Sequence, residues 1–312
     1  MRLLVLGAGA IGGYFGGRLA EGGADVTFLV RPRRLQQLQA DGLVVQSDVG
    51  SIRQPVRTVV AGDVRADYDL VLLTCKAYDL ASSLDAIAPA VGPQTAIVPL
   101  LNGLAHFESL DARFGAERVM GGTCMIDSTL QPDGIIRHGG TLQRLVFGER
   151  DRQPTARAAG LAAALGSSRI DWLQSDDIEQ TLWDKLIFLA ALASTTCLFR
   201  GTVREIMTAP DGRAAMQRAL AANVEIATRE GHAPGAEAIT FAEGRLTNPE
   251  GDWSASMLRD LEAGGQVEAD HIVGWMLARA RRHGVDDTML SLAYTHLKTF
   301  EARRDRHRLP DP

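Results

Sequence analysis

The chain has 312 residues, of which 46% are hydrophobic, and its 33 basic and 38 acidic side chains give a net charge of −5. This length and apolar share suffice for one large or two ordinary domains with a buried core, and they exclude disordered and collagen-like chains. The negative charge argues against a nucleic-acid partner, because general nucleic-acid-binding proteins are usually basic.

The cysteines and the apolar segments bear on the compartment. Cys75, Cys124 and Cys197 are odd in number and far apart, which favours a reducing compartment over a disulfide framework. The apolar stretch at 186–193 is too short to span a membrane. The residues after Met1 already have the pattern of a strand, so no signal peptide is predicted. We therefore expect a cytoplasmic protein with no membrane partner.

The first half of the chain alternates short apolar strands with helices. Strands are predicted at 2–6, 25–30, 69–74 and 95–100, and helices at 10–21, 33–40 and 80–90. Such alternation is typical of a doubly wound parallel sheet. Between residues 119 and 149, short segments around glycine-containing turns predict additional strands, which we expect to be antiparallel.

After residue 171 the strand signals stop and helical patterns follow. Helices are predicted at 176–198, 211–230, 236–246, 254–262, 266–283 and 288–304. We therefore expect an α/β N-terminal domain of the Rossmann type at residues 1–170. An all-α domain should follow at residues 171–312.

A glycine-rich loop, Gly7-Ala8-Gly9-Ala10-Ile11-Gly12, joins the first predicted strand to the first predicted helix. In a dinucleotide site, Gly7 permits the tight turn, Gly9 lets the backbone approach a pyrophosphate, and Gly12 allows close packing of helix and strand. A turn that is merely rich in glycine is the alternative, since the chain has 32 glycines. The position between a strand and a helix favours the dinucleotide site.

Arg31 follows the second strand at the position where an NAD-binding protein would have an acid for the ribose hydroxyls. Arg33 and Arg34 come next. No carboxylate follows the strand here to repel a 2′-phosphate, and guanidinium groups can bind one. A solvated basic helix start is the alternative. The sequence therefore predicts NADPH rather than NADH, with Arg31 as the principal determinant.

Lysine is scarce, since only Lys76, Lys185 and Lys298 stand among the 33 basic residues. Lys185 begins a strongly apolar helical stretch, where burial would disfavour the charged ammonium and ease proton donation. An enzyme that adds hydride to a carbonyl needs such a donor. A lysine that extends its ammonium to solvent is the alternative, and the scarcity of lysine favours the functional interpretation.

Further motifs follow in a characteristic order: C-K-A-Y at 75–78, L-N-G at 101–103, L-W-D-K-L at 182–186, S-A-S-M-L-R-D at 254–260 and V-E-A-D at 267–270. With the glycine loop and Arg31, they make the chain resemble the ketopantoate reductase (2-dehydropantoate 2-reductase) family over nearly its whole length. The resemblance implies a second domain like the C-terminal domain of 6-phosphogluconate dehydrogenase, and it implies no metal.

The resemblance also implies roles for individual residues. Lys185 would donate the proton to the ketone oxygen. Asn102 and Lys76 would help to hold the cofactor and the reacting groups, and Ser256 would contact the substrate. Glu268 would bind near the nicotinamide ribose and orient Lys185. Each has a plainer alternative: an ordinary loop residue for Lys76 and Asn102, a helix cap for Ser256, and a solvated helix face for Glu268.

The chain departs from the family pattern after the lysine. The family has asparagines one and two helical turns later that hold the hydroxy-keto acid, and this chain has Leu189 and Ala193 there. Because such pockets discriminate through specific hydrogen bonds, substrate selectivity should change. We expect NADPH-dependent reduction of ketopantoate to pantoate by a homodimer. The alternatives are a related reductase of another 2-oxo acid, a β-hydroxyacid or 6-phosphogluconate-type dehydrogenase, against which Leu189 counts, and a non-catalytic NADPH sensor.

Overall fold

The protein is described from a computed structural model that covers residues 1–306. The chain forms two compact units. The first comprises Met1–Leu101 and His106–Glu179, and the second comprises Asn102–Ala105 and the described residues from Gln180 onward. The predicted division after residue 170 lies a few residues before this one, and residues 307–312 of the predicted helical domain lie outside the described residues.

The first unit contains all the strands of the described chain. They are β1 (Arg2–Leu6), β2 (Asp25–Leu29), β3 (Leu43–Ser47), β4 (Ile52–Gln54), β5 (Arg57–Val59), β6 (Leu70–Leu73), β7 (Ala96–Pro99), β8 (Gly121–Leu130), β9 (Ile136–Gly148) and β10 (Asp171–Gln174). The helices of this unit are α1 (Ala10–Glu21), α2 (Pro32–Asp41), α3 (Leu80–Ile87), α4 (His106–Phe114) and α5 (Ala156–Gly166).

Five strands form a fully parallel sheet in the order β5-β2-β1-β6-β7. Side chains of β1 alternate between its two faces. Leu3 and Val5 pack in the core cluster that contains Phe15 of α1, whereas Leu4 and Leu6 pack in the cluster that contains Leu84 of α3. Helices thus cover both faces, which is why the strand is apolar throughout. The predicted doubly wound sheet is confirmed.

A second sheet is built around the antiparallel pair β8 and β9. β9 also takes β3 and β10 as parallel partners, and β4 pairs with β3 in the antiparallel sense. The predicted antiparallel strands are therefore present, although they are longer than expected. β3, β4, β5 and β10 were not predicted, because they are short. β10 also places strand structure after residue 171, where the sequence predicts helices alone.

The second unit is helical within its described residues. Its helices are the part of α6 (Ile178–Phe199) from Gln180 onward, α7 (Val203–Thr208), α8 (Gly212–Arg229), α9 (Ala236–Leu246), α10 (Ser256–Glu262), α11 (Trp275–His283) and α12 (Thr288–Asp305). The short α7 was not predicted, although Thr202 and Glu205 form a capping box at its start. The predicted helix at 266–283 begins instead as a π-helical turn, Asp270–Gly274.

Helix α6 is the one described helix that is long and apolar enough to cross a membrane, by length and composition alone. Of its most apolar 18 residues, 67% are buried inside the protein. Ala190, Ala191 and Ala193 are fully buried. The apolar character of α6 is thus accounted for by its position in the core of the second unit, since a helix that is hydrophobic on all sides is a buried one.

Candidate active site

A cavity of about 1000 Å³ lies in the first unit, beside the residues that follow β1, β2, β5 and β6. These are the carboxyl ends of parallel strands, where open α/β sheets bind their ligands. The strand order also reverses here, because β2 and β6 flank β1 on opposite sides. Ser82, Ser83 and Ala86 of α3 and the segment 130–132 complete the lining.

The glycine loop has the geometry that a dinucleotide needs. Gly7 has φ +90°, a conformation that favours glycine. A Cβ added at Gly9 would meet no atom within 4 Å, whereas one added at Gly12 would lie 2.3 Å from both the Gly7 carbonyl oxygen and Thr74 Oγ1. Gly9 therefore leaves the backbone accessible, and Gly12 lets helix α1 pack closely against the strands. The loop fits a pyrophosphate at the start of α1.

The loop residues are held in place by side chains from elsewhere in the first unit. Gly7, Ala8 and Gly9 line the cavity, and Ala10, Ile11 and Gly12 form the first turn of α1. The Ala8 carbonyl accepts a hydrogen bond from Arg34 Nε at 2.9 Å, and the Ala10 carbonyl accepts one from Ser128 Oγ at 3.2 Å.

Four basic residues line the cavity: Arg31, Arg33, Arg34 and Lys76. Arg34 binds the protein's own backbone, because it donates to the Gly134 carbonyl at 2.9 Å as well as to the Ala8 carbonyl. Burial lowers the pKa of Arg34. Arg33 is exposed. Lys76 follows β6 and begins a 3₁₀ turn, Ala77–Asp79. Arg31 and Arg33 are therefore the guanidinium groups best placed to meet a phosphate from solution.

Arg31 is not a free guanidinium. Its Nη2 donates to Asp79 Oδ1 at 2.9 Å, and the Arg31 side chain remains 73% exposed. Asp79 also lines the cavity. No carboxylate follows β2 in the sequence, but the turn after β6 supplies one to the cavity. Sequence reasoning missed Asp79 because it lies 48 positions from Arg31 and belongs to a different strand-to-helix connection.

The second unit brings together two of the predicted site residues. Lys185 lies in the second turn of α6, and Asn102 lies in the loop after β7 that belongs to the second unit. Lys185 Nζ donates to Asn102 Oδ1 at 3.1 Å, and the Lys185 side chain is half-buried. This hydrogen bond joins the lysine of α6 to a side chain of the loop after β7.

The Asn102 loop packs against the start of the π-helical turn. A Cβ added at Gly103 would lie 2.8 Å from the His271 carbonyl oxygen. Burial lowers the pKa of His271 to about 4, so its imidazole is neutral near pH 7. Glu268, one helical turn before Ile272, is 6% exposed, and its carbonyl accepts from the Ile272 N–H at 3.2 Å. A solvated helix face does not describe Glu268.

The π-helical turn is fastened to α12 through Asp270. Tyr294 Oη donates to Asp270 Oδ1 at 2.6 Å, and Lys298 Nζ donates to Asp270 Oδ2 at 2.9 Å. These bonds lower the pKa of Asp270, against the effect of its partial burial. Lys298, to which the sequence assigns no role, therefore supports the segment that carries Glu268 and His271. π-helical turns are frequent at functional sites.

Ser256 lies towards the other end of α6. It is the first residue of α10, and the preceding Ala255 N–H donates to Thr196 Oγ1 at 3.4 Å. Thr196 is three turns after Lys185, about 16 Å along the helix axis. Ser256 is not the N-cap of α10, since Ala255 has that position. Between these ends, Leu189 is partly buried and Ala193 is fully buried.

Among residues 1–306, no group of three or more His, Cys, Asp or Glu side chains could hold a metal ion.

The chain matches two family models, "Ketopantoate reductase PanE/ApbA" over residues 3–152 and "Ketopantoate reductase PanE/ApbA C terminal" over residues 177–301. The chain belongs to the ketopantoate reductase family. The resemblance inferred from the motifs is confirmed, and the family is one of pyridine-nucleotide-dependent oxidoreductases.

Two proteins that are similar to this ketopantoate reductase family member over nearly their whole length carry different descriptions. The uncharacterized oxidoreductase YkpB of Bacillus subtilis (strain 168) is 36% identical over 97% of this chain and 100% of its own. The 2-dehydropantoate 2-reductase of Geobacter metallireducens GS-15 is 28% identical, covers 96% of this chain and 99% of its own, and has a TM-score of 0.86.

A third similar structure is a D-mandelate dehydrogenase solved with NADH and anilino(oxo)acetate. It is 21% identical, covers 98% of this chain and 100% of its own, and has a TM-score of 0.86. At this identity the likeness concerns the fold alone. The ketopantoate reductase fold therefore does not by itself specify a substrate or choose between the two nicotinamide nucleotides.

Proposed function

We propose that this chain is an NADPH-dependent reductase of a small 2-oxo acid, with Lys185 as the proton donor. The observation that carries the proposal is the hydrogen bond from Lys185 Nζ to Asn102 Oδ1. This hydrogen bond supports the proposal because it holds the Lys185 ammonium at a defined position through an uncharged partner, as a general acid requires.

The cavity of the first unit fits a dinucleotide. The open space at Gly9 and the N–H groups at the start of α1 suit its pyrophosphate. Arg31 and Arg33 would hold the 2′-phosphate. We assign Lys76, Asn102 and Glu268 to the nicotinamide half, as the family resemblance implies. When bound, NADPH supplies the hydride that is added to the C2 carbonyl.

Lys185 acts on the other atom of that carbonyl. Addition of hydride to C2 leaves an alkoxide, and the Lys185 ammonium gives its proton to that oxygen. The neutral amine then regains a proton from water. Asn102 accepts one N–H of Lys185 and so fixes the direction of the others. We infer that the buried carboxylate of Glu268 helps to orient Lys185. Ser256 is proposed to contact the substrate.

Ketopantoate is the first candidate substrate, because the Geobacter relative is a 2-dehydropantoate 2-reductase. The second candidate is a 2-oxo acid with an apolar side chain. Leu189 favours it, because it puts a partly exposed apolar side chain where the family pattern has an amide for the substrate hydroxyl, whereas Ala193, at the second such position, is fully buried and has no amide either. Apolar walls cannot satisfy a buried hydroxyl, which disfavours the 4-hydroxyl group of ketopantoate.

We further propose that the enzyme is a cytoplasmic homodimer formed through the second unit. Phe199, Phe241 and Leu292 of this unit are 47%, 53% and 53% exposed, and large exposed apolar side chains are common at protein interfaces. Sedimentation analysis of the purified protein tests the assembly.

The proposed reaction is tested by following the oxidation of NADPH at 340 nm with a panel of 2-oxo acids that includes ketopantoate. Turnover of one panel member, lost in Lys185→Ala, is the expected result. Tight binding of NADPH without turnover of any panel member would favour the alternative of a nucleotide sensor. Turnover that survives Lys185→Ala would contradict the assigned proton donor.

A further inference from the structure

Asp79 is the one carboxylate among the described residues that line the nucleotide cavity. Its Oδ1 accepts the hydrogen bond from Arg31 Nη2 at 2.9 Å, and its side chain is 34% exposed. The charges at this edge of the cavity are therefore mixed. The arginine expected to recognise a 2′-phosphate already has an anionic partner.

The local backbone directs Asp79 toward this role. Asp79 ends the 3₁₀ turn and occupies the N-cap position of α3, yet its side chain caps none of the N–H groups of that helix. Its own N–H donates to the Lys76 carbonyl at 3.0 Å, which fixes the turn. The carboxylate is thus aimed at Arg31 and not at the helix that it precedes.

The two nicotinamide nucleotides differ at the adenosine 2′ position in a way that a carboxylate detects. A 2′-phosphate carries close to two negative charges at neutral pH and is repelled, whereas a 2′-hydroxyl can donate a hydrogen bond to a carboxylate. In NAD-binding proteins that acid follows the second strand. Here Arg31 has that sequence position, and the acid reaches the same edge from the turn after β6.

We propose that Asp79 is a specificity-determining residue that competes with the 2′-phosphate of NADPH for Arg31. It lowers the preference for NADPH and lets the site accept the 2′-hydroxyl of NADH as well. The proposal rests on the proposed nucleotide-binding function of the cavity. The wild type should therefore bind both nucleotides, with NADPH moderately preferred.

The test is the dissociation constant of each nucleotide, measured by calorimetry on the purified full-length protein without substrate. Asp79→Asn keeps the size of the side chain and its suitability at an N-cap. In this variant, the ratio of the NADH constant to the NADPH constant should rise about fivefold, mainly through tighter binding of NADPH. The matched control is Asp85→Asn, which removes the carboxylate of another Asp–Arg pair on α3, with Arg113 at 3.0 Å, and should leave the ratio unchanged.

A second pair of variants tests whether the effect passes through Arg31. In the Arg31→Ala background, Asp79→Asn should change the ratio less than in the wild type, because there is no guanidinium left to compete for. An equal change in both backgrounds would contradict the competition. A ratio that falls in Asp79→Asn would show that Asp79 instead orients Arg31 for the phosphate, and the proposal would be wrong.

The outcomes also separate this proposal from the function on which it rests. If the wild type binds both nucleotides but Asp79→Asn leaves the ratio unchanged, the role of Asp79 is refuted and the proposed function stands. If the wild type binds neither nucleotide, both are refuted. Equal melting temperatures of Asp79→Asn and Asp85→Asn would exclude misfolding as the cause of a changed ratio.

Discussion

Lys185 Nζ lies 3.1 Å from Asn102 Oδ1, although 83 positions separate the two residues in the chain. Helix α6 supplies the lysine, and the loop after β7 supplies its acceptor. An amide oxygen takes a hydrogen bond from an ammonium but adds no negative charge. Asn102 can therefore hold the group in place without binding its proton as strongly as a carboxylate would.

Replacement of Lys185 should abolish chemistry and spare nucleotide binding. Both Lys185→Met and Lys185→Arg should lower kcat about 10²- to 10⁴-fold, because methionine has no proton to give and arginine does not release one near neutral pH. The dissociation constant of NADPH should change less than about twofold. Steady-state kinetics with the best substrate and calorimetry measure the two quantities. A Lys185→Arg variant with normal kcat would refute the role.

Two replacements of Asn102 should have different effects, one on kcat and the other on the pH–rate profile. Asn102→Ala removes the acceptor and should lower kcat about tenfold. Asn102→Asp keeps the acceptor but adds a charge that stabilises the ammonium, so the alkaline limb of the pH–rate profile should move to higher pH. A purely structural role for Asn102 would not produce that displacement. Identical pH profiles in the wild type and Asn102→Asp would contradict the proposed contact with the proton donor.

Substitution of two glycines of the first loop should have different effects, one on stability and the other on nucleotide binding. Gly12→Ala puts a Cβ 2.3 Å from the Gly7 carbonyl oxygen and from Thr74 Oγ1 and should lower the free energy of unfolding by about 2 kcal/mol. Gly9→Ala meets no atom within 4 Å and should leave the melting temperature unchanged. Gly9→Ala should nevertheless weaken binding of NADPH, because the methyl group projects where the pyrophosphate approaches. Calorimetry of unfolding and of binding checks both, and each variant is the control for the other.

The substrate preference should follow the apolar face of α6. If the second candidate is correct, kcat/KM for 3,3-dimethyl-2-oxobutanoate, which differs from ketopantoate only in lacking the 4-hydroxyl group, should exceed that for ketopantoate about tenfold or more. Leu189→Asn should move the ratio toward ketopantoate, since the amide can bond the hydroxyl. Leu189→Met is the control, because it keeps an apolar side chain of similar volume. A wild-type preference for ketopantoate would show that other groups bind its hydroxyl.

The buried imidazole of His271 should make the protein less stable in acid. Its pKa is about 4 in the folded protein and 6.5 as its ordinary value, so the unfolded chain binds a proton first as the pH falls. Stability should therefore be lost between about pH 6.5 and 4, by up to about 3 kcal/mol. Urea unfolding of the wild type and His271→Gln at pH 7 and pH 4.5 measures this. An equal loss in both proteins would contradict the assignment to His271.

Local sequence patterns were sufficient to predict strands that are buried on both faces and the long core helix, because each of these has a continuous run of apolar residues. β1 and α6 are examples. They were insufficient for β3, β4, β5 and β10, since strands of three to five residues are too short to show a clear pattern, and they also missed α4 and α5. The π-helical start of the segment before α11 was also missed, because a helical period does not reveal how the backbone turns at Asp270–Gly274.

By itself, the sequence determined the family, the doubly wound sheet with its glycine loop, and the scarcity that singled out Lys185. Each of these follows from short motifs, their order in the chain, or composition, and none requires knowing which distant residues touch. Only the tertiary structure decided that Arg31 is shared with Asp79, that Lys185 is held by Asn102, and that Lys298 fastens the π-helical turn through Asp270. The reason is physical: a charged side chain takes the partner that folding brings to it, and strand order and helix packing, not sequence spacing, choose that partner.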